Sequence, residues 1–176
     1  MSIHTYHTHP FSPVFDKHSK VLILGSFPSI ISRDEGFYYA HSRNRFWQIL
    51  SYLFESDITK GSVESKKQFL LTHHIALWDI VSECSIAHSS DASLKCAKFN
   101  DLDVILSQAD IGAIFCNGRK AYTLFTDFAS MQPHFCIQSF LLPSSSPANA
   151  RFSLEKLLCE WEIVRDYLKL YNLYFV

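Results

Sequence analysis

Four short apolar runs, Val21–Leu24, Ile75–Val81, Ile111–Cys116 and His134–Leu142, alternate with stretches whose apolar residues recur at helical spacing. Runs of this length read as buried strands. Strands separated by helices pair most simply as parallel neighbours joined by helical crossovers. The chain is therefore expected to be an α/β protein with a central four-stranded parallel sheet and helices on both faces. Its 176 residues, 48% hydrophobic and 19% charged, suit one globular domain. We assign residues 21–176 to that domain and residues 1–20 to an N-terminal arm packed on it.

The helices read as follows. Phe46, Trp47, Ile49, Leu50, Leu53 and Phe54 define a helix over 45–54, with Trp47 as a core anchor. A helix over 63–72 follows, with Ser62 as its N-cap. Asn100 is expected to cap a helix opened by Asp101, Leu102 and Asp103. Another begins near Arg119 and runs through Tyr122, Leu124, Phe125 and Phe128. The last spans about 153–171 on a stripe of Leu154, Leu157, Leu158, Trp161, Val164 and Leu168.

The connections carry the chemistry. After Leu24 the strand breaks at Gly25-Ser26-Phe27-Pro28-Ser29, and a loop rich in rings and polar groups follows, with Phe37, Tyr38, Tyr39, His41, Arg43 and Asn44. Ligand-handling loops sit at the carboxyl ends of strands in such sheets. Rings beside hydrogen-bonding side chains suit a flat, polar-edged ligand such as a nucleobase. Asp79 lies within an apolar run and needs partners if buried; it reads as a structural carboxylate or as one facing the crevice. Residues 82–98 show no period and read as a loop containing His88-Ser89-Ser90-Asp91. Asn117-Gly118 reads as a turn, with Asn117 able to reach a base edge.

Several classes recede. The H-x-x-H-x-H of His4, His7 and His9 has no matching Cys, Asp or Glu cluster nearby, so we expect no metal; Pro10 and Pro13 favour an extended arm. The five cysteines are odd in number and show no C-x-x-C spacing, as expected of reduced thiols in a cytoplasmic protein. They also lack the clustering of an iron–sulfur site. No apolar run approaches membrane-spanning length. There is no G-x-G-x-x-G or P-loop. The formal net charge of −1 means that any nucleic-acid surface must be local; Arg33, Arg43, Arg45, Arg119, Lys120 and Arg151 are the candidates, with ordinary solvated surface as the alternative.

GSFPS (25–29) and GFYYAHSRNRFW (36–47) resemble the first motif of the uracil-DNA glycosylase superfamily. They align without a gap with the GINPG…GFPFAHPANRFW of mismatch-specific uracil glycosylases. LPSSSPANA (142–150) stands where the superfamily carries its second motif. The combination is most similar to the hypoxanthine-DNA (deoxyinosine) glycosylase branch, over roughly 11–161. The resemblance implies a three-layer α/β/α sandwich and a monofunctional DNA glycosylase. Its substrate would be DNA carrying a deaminated base, most often hypoxanthine. It implies no metal, no cofactor and no covalent lysine, and we expect a monomer.

Phe27 stands where the aligned uracil glycosylase has a water-positioning asparagine, which argues against efficient uracil excision. Asn44 is the candidate substitute, with a helix cap as its other reading, and His41 is a donor to the departing base. Tyr39 aligns with the ring that stacks on the extruded base. Ser26, Phe27, Pro28, Phe37, Asp79 and Asn117 complete the expected base pocket. Pro143, Ser144, Ser145, Ser146, Pro147, Ala148 and Asn149 form the expected DNA-binding loop, or else an ordinary loop that caps the next helix. A uracil or broad deaminated-base glycosylase and a non-catalytic nucleic-acid-binding module are the rival readings. Retained binding without base release would mark the module.

Overall fold

The structure is a computed structural model and describes residues 4–87, 94–132 and 135–174. Its elements run β1 (His4–Thr8), β2 (Val21–Gly25), α1 (Ile30–Glu35), α2 (Phe46–Leu53), α3 (Val63–Thr72), β3 (Ile75–Asp79), β4 (Val81–Ala87), β5 (Lys95–Phe99), α4 (Asp103–Leu106), β6 (Ala113–Asn117), α5 (Arg119–Ser130), β7 (Gln138–Leu142) and α6 (Leu154–Tyr174).

The main sheet is parallel, in the order β3-β2-β6-β7. All residues of β2 and β3 are buried. Successive strand residues face opposite sides, so continuous burial requires a layer on each face. Helices supply those layers: α3 packs on β3, α5 on β6 and β7, and α2 on α6. The fold is the expected three-layer α/β/α sandwich. Its centre is large and dry, with Phe46, Phe115, Phe125 and Trp161 fully or almost fully buried. Phe46 of α2 meets Trp161 of α6 edge to face, at 5.9 Å and 82°.

The chain places β3 on one side of β2 and β6 on the other. That reversal opens a crevice at the carboxyl end of β2. Register lines up the strand ends there. Gly25 pairs with Asp79, Leu24 with Cys116, and Asn117 with Leu142.

Four expectations need correction. Residues 82–98 are not one loop. β4 and β5 join β1 in a separate three-stranded antiparallel sheet of order β1-β4-β5. The ladder shifts register on either side of Glu83, which breaks the two-residue alternation a strand reading depends on. His88-Ser89-Ser90-Asp91 lies outside the described residues. The strand read over 134–142 narrows to Gln138–Leu142. Asn100 caps no helix. Its buried amide donates to the Asp79 and Val81 carbonyls, at 2.8 and 3.3 Å, and so ties down the β3–β4 bend. Finally, the loop after β2 contains a short helix, α1. Ser29 caps it by accepting from the Ser32 amide, and Gly36 ends it in the left-handed region at φ 75°. Among the described residues no helix is long and apolar enough to cross a membrane.

Trp161 links core to crevice, because its indole Nε1 donates to the Pro143 carbonyl at 2.9 Å. Trp161→Phe keeps most of the ring volume but orphans that carbonyl. Urea unfolding should show a loss of about 1–3 kcal/mol, and the residues that follow Pro143 should exchange amide protons faster than in the wild type.

Candidate active site

The strand-end row forms the floor of a compact pocket of about 140 Å³. That is well below the roughly 300–1,000 Å³ of sites for drug-sized ligands, and it suits one flat ring system. Gly25, Asp79 and Asn117 lie along the floor, with Ser26, Phe27, Pro28, Ser29 and Ser32 on the first wall. Tyr38, Tyr39, His41 and Asn44 form the second wall, and 144–147 the third.

Asn44 and His41 enter this pocket together, held by a turn. The Asn44 amide donates to the His41 carbonyl at 2.8 Å. The Arg43 amide donates to His41 Nδ1 at 3.0 Å. A nitrogen that accepts from an amide carries no proton, so the ring proton of neutral His41 sits on Nε2 as a donor. Asn44 Oδ1 accepts from the Phe46 amide at 3.0 Å, on the first turn of α2. Arg45 takes the cap position of α2 without a side-chain cap bond, so Asn44 is not its N-cap; from one residue earlier its side chain braces the helix start while lining the pocket.

Asp79 is 3% exposed. Its Oδ2 accepts from His9 Nε2 at 2.9 Å, with both side chains almost wholly buried. A Cβ on Gly25 would stand 2.0 Å from Asp79 Oδ1 and 2.8 Å from the Tyr39 hydroxyl. Only glycine leaves room there for these two polar atoms. Tyr39 has φ 54°, a strained backbone for a side chain of its size, and its ring stacks on Phe46 at 4.0 Å. Its buried hydroxyl makes no hydrogen bond of normal geometry, although it lies close enough to Asn117 to feel its amide. Burial, then the Asp79 charge, push the Tyr39 phenol far above its ordinary value, so it stays a neutral donor. Tyr38 is raised for the same two reasons and donates to the Ser12 carbonyl at 2.9 Å.

The Asn117 amide is committed to the third wall. Its Nδ2 donates to Ser145 Oγ and its Oδ1 accepts from the Ser145 amide, both at 2.9 Å. Ser144 Oγ accepts from the Ser146 amide, and Ser146 Oγ from the Ala148 amide. Asn149 Nδ2 donates to the Ser144 carbonyl at 2.9 Å. Arg45 closes the assembly. Its side chain donates to the carbonyls of Ser145 (3.3 Å), Ser146 (2.6 Å), Asn149 (3.1 Å) and Phe152, and its backbone amide to Ser145 as well.

Most of the expected residues gather here, with exceptions. Phe37 is core: it is 6% exposed, stacks on Trp47 at 5.9 Å and does not line the pocket. Arg45 is an inward clamp rather than a surface charge. Pro143, Ala148 and Asn149 line a neighbouring groove of about 650 Å³ with Arg119, Lys120 and Arg151. That groove shares Ser26, Asn117, Ser144 and Ser146 with the pocket, so exposed basic side chains run away from its mouth. The expected site also omitted Gly25, Ser29, Ser32 and Tyr38 of the lining, and His9 behind Asp79. Ser32 had no signal beyond a polar residue in a loop. His9 belongs to a histidine-rich arm, and nothing in its spacing points to a carboxylate 70 positions on.

Comparison with known proteins is consistent with this geometry. Residues 12–167 match the family described as the Uracil DNA glycosylase superfamily. A protein of Methanosarcina acetivorans named hypoxanthine DNA glycosylase is 31% identical over 155 residues, covering 88% of this chain and 95% of that one. Its namesake from Methanosarcina barkeri is 27% identical over 152 residues, covering 86% and 93%. A solution NMR structure of a Methanosarcina acetivorans protein described as a candidate uracil DNA glycosylase superposes with a TM-score of 0.78 at 30% identity. It covers 94% of this chain and 99% of that one.

Arg45→Lys retains the charge but replaces a planar fork of five donors with one flexible ammonium. It should loosen the third wall selectively. Hydrogen exchange across 145–152 should accelerate at least tenfold, with overall stability falling by about 1–3 kcal/mol.

Proposed function

The chain belongs to the uracil-DNA glycosylase superfamily and is a DNA glycosylase; we propose that it is monofunctional and releases hypoxanthine from deoxyinosine in base excision repair. The observation that carries the proposal is the meeting of Asn44, His41, Asp79 and Tyr39 around one base-sized pocket at the strand ends. Two relatives named for this activity support it. So does Phe27, which is buried against the His9 ring and offers no group to hold water for uracil excision.

A base must leave the duplex stack to enter such a pocket, at a cost of a few kcal/mol. The groove bearing Arg119, Lys120 and Arg151 offers phosphate contacts that offset this cost. The clamped 143–149 loop would enter beside the vacated position and resist its return.

In the pocket, His41 Nε2–H would offer a donor to the purine, which leaves more readily as negative charge on it is stabilised. Asn44 acts on the other side of the bond. One lone pair of its Oδ1 is held by the Phe46 amide; the second lone pair and the Nδ2 hydrogens can hold a water near C1′. An amide is no strong base. The sugar must therefore develop oxocarbenium character before the water adds, and the rate gain comes from positioning and electrostatics.

Base release from matched oligonucleotides carrying deoxyinosine, deoxyuridine or deoxyxanthosine, with abasic sites revealed by alkali, tests the reading. Deoxyinosine should be cut fastest, and Asn44→Ala should slow the cut by roughly 100- to 1,000-fold. Faster cutting at deoxyuridine would overturn the substrate assignment. Binding of DNA without any base release would leave a non-catalytic module.

A further inference from the structure

Asp79 reaches His9 through one oxygen and the floor of the pocket through the other. Oδ2 takes the His9 bond. Oδ1 lies at the bare Cα of Gly25, beside the Tyr39 hydroxyl. His9 is itself fixed. Its ring sits edge-on to Phe11 and Phe27, at 5.7 Å from each, and tilted against Tyr38 at 6.1 Å. Its Nδ1 lies 3.0 Å from the Phe11 carbonyl and 3.2 Å from the Phe11 amide, so this nitrogen has a backbone partner in either protonation state. His9 is therefore an imidazole held on all sides, with one free act, which is to donate to Asp79.

We infer that His9 is a positioning residue for base selection: through Asp79 it fixes a carboxylate oxygen that reads the N–H created by deamination. The inference rests on the glycosylase reading of the pocket. Its chemistry is general. Deamination of adenine turns N1 from an acceptor into an N–H donor and the 6-amino donor into a carbonyl acceptor. Deamination of cytosine makes the same exchange at N3 and C4. An ionised carboxylate oxygen only accepts. It therefore matches the N–H of a deaminated base and opposes the bare ring nitrogen of its parent. Adenine would set a lone pair against the carboxylate and leave that oxygen without a donor, the situation in which polar sites reject most strongly. Guanine carries the same N–H and C=O pair, so its rejection falls to whatever meets its 2-amino group.

His9 makes this selective by holding Asp79 Oδ2. Without that bond the carboxylate can rotate and no longer presents a fixed acceptor. In Asp79→Asn, His9 would engage the amide oxygen and turn the NH₂ towards the base, replacing an acceptor by a donor.

The test uses the full chain and single-turnover release from oligonucleotides carrying deoxyinosine, 1-methyldeoxyinosine or deoxyadenosine. Wild type should favour deoxyinosine over its 1-methyl derivative by roughly 100-fold or more. His9→Phe, which keeps a ring but not the donor, should narrow that ratio at least tenfold. His9→Gln, which restores an N–H, should recover most of it. Asp79→Asn, nearly isosteric, carries the same test should His9→Phe fail to fold, and should lower the ratio of deoxyinosine to deoxyadenosine release. An unchanged ratio in His9→Phe and Asp79→Asn, or His9→Gln no better than His9→Phe, overturns the inference. Binding of free hypoxanthine against 1-methylhypoxanthine, followed by NMR, separates this from the glycosylase reading. A wild type that prefers hypoxanthine but releases no base keeps the inference and sinks the enzyme. Release of hypoxanthine without discrimination against the methyl group does the reverse.

Discussion

Everything at the mouth of the pocket depends on where the Arg45 guanidinium spends its hydrogen bonds. Among the described residues no carboxylate pairs with it; it is held by four backbone carbonyls from 145–152. A cation can be withdrawn from water in this way because each carbonyl dipole presents its negative end. The result joins two segments about one hundred residues apart. Arg45 stands immediately before α2, next to Asn44, so the same turn that presents the polar wall also grips the opposite one. Asn117 makes the complementary grip from the floor, with both amide atoms on Ser145. Ser145 is fully buried despite its hydroxyl, which has meaning only as the node where these grips converge.

The floor follows a different rule, that of register. A parallel ladder fixes which residues end side by side, and here it sets Gly25 against Asp79. Glycine is required by the contact rather than by its own conformation, since a Cβ would stand inside the carboxylate. The cost of burying Asp79 is offset by His9, which arrives from beyond the main sheet. His9 follows β1, whose pairing with β4 carries the arm back over the strand ends, and the His9 amide donates to the Ser82 carbonyl at 2.7 Å. The small antiparallel sheet, the least legible part of the chain, thereby delivers a partner the pocket cannot do without.

Legibility tracked the range of the interaction. The parallel sheet was visible because its first three strands are nearly continuous apolar runs, and the long terminal helix because its stripe recurs at helical spacing. Ser62 caps its helix by a local bond of the kind sequence can suggest, whereas the helix capped by Ser29 was read as loop. The failures are residues whose partners are remote. Asn100 looks like a cap and instead braces the β3–β4 bend. Phe37 heads an aromatic run whose first ring turns to the core while the next two, Tyr38 and Tyr39, line the pocket, and nothing local says that Phe37 would stack on Trp47. Arg45 reads as surface because arginine usually is. His9 was hidden twice, by its distance from Asp79 and by sitting among other histidines that invite a metal reading.

Asn44 shows why one residue can serve fold and chemistry without conflict. A helix start needs an acceptor for an orphan amide, and an amide oxygen has two lone pairs. Using one on the Phe46 amide removes the rotational freedom of the side chain. The remaining lone pair and the NH₂ group then point in directions fixed by the helix rather than by the ligand. On the proposed reading a water held there is held before the base arrives, which is the condition under which positioning contributes most to rate. The bond that secures the helix start would then belong to the catalytic arrangement. A carboxylate at the same place could brace the helix start equally well, but it would carry full negative charge beside the departing purine, where developing negative charge has to be stabilised. The neutral amide satisfies the helix and, on the proposed reading, would not oppose departure of the base, while His41, locked as an Nε2–H donor by the same turn, would supply the favourable pole.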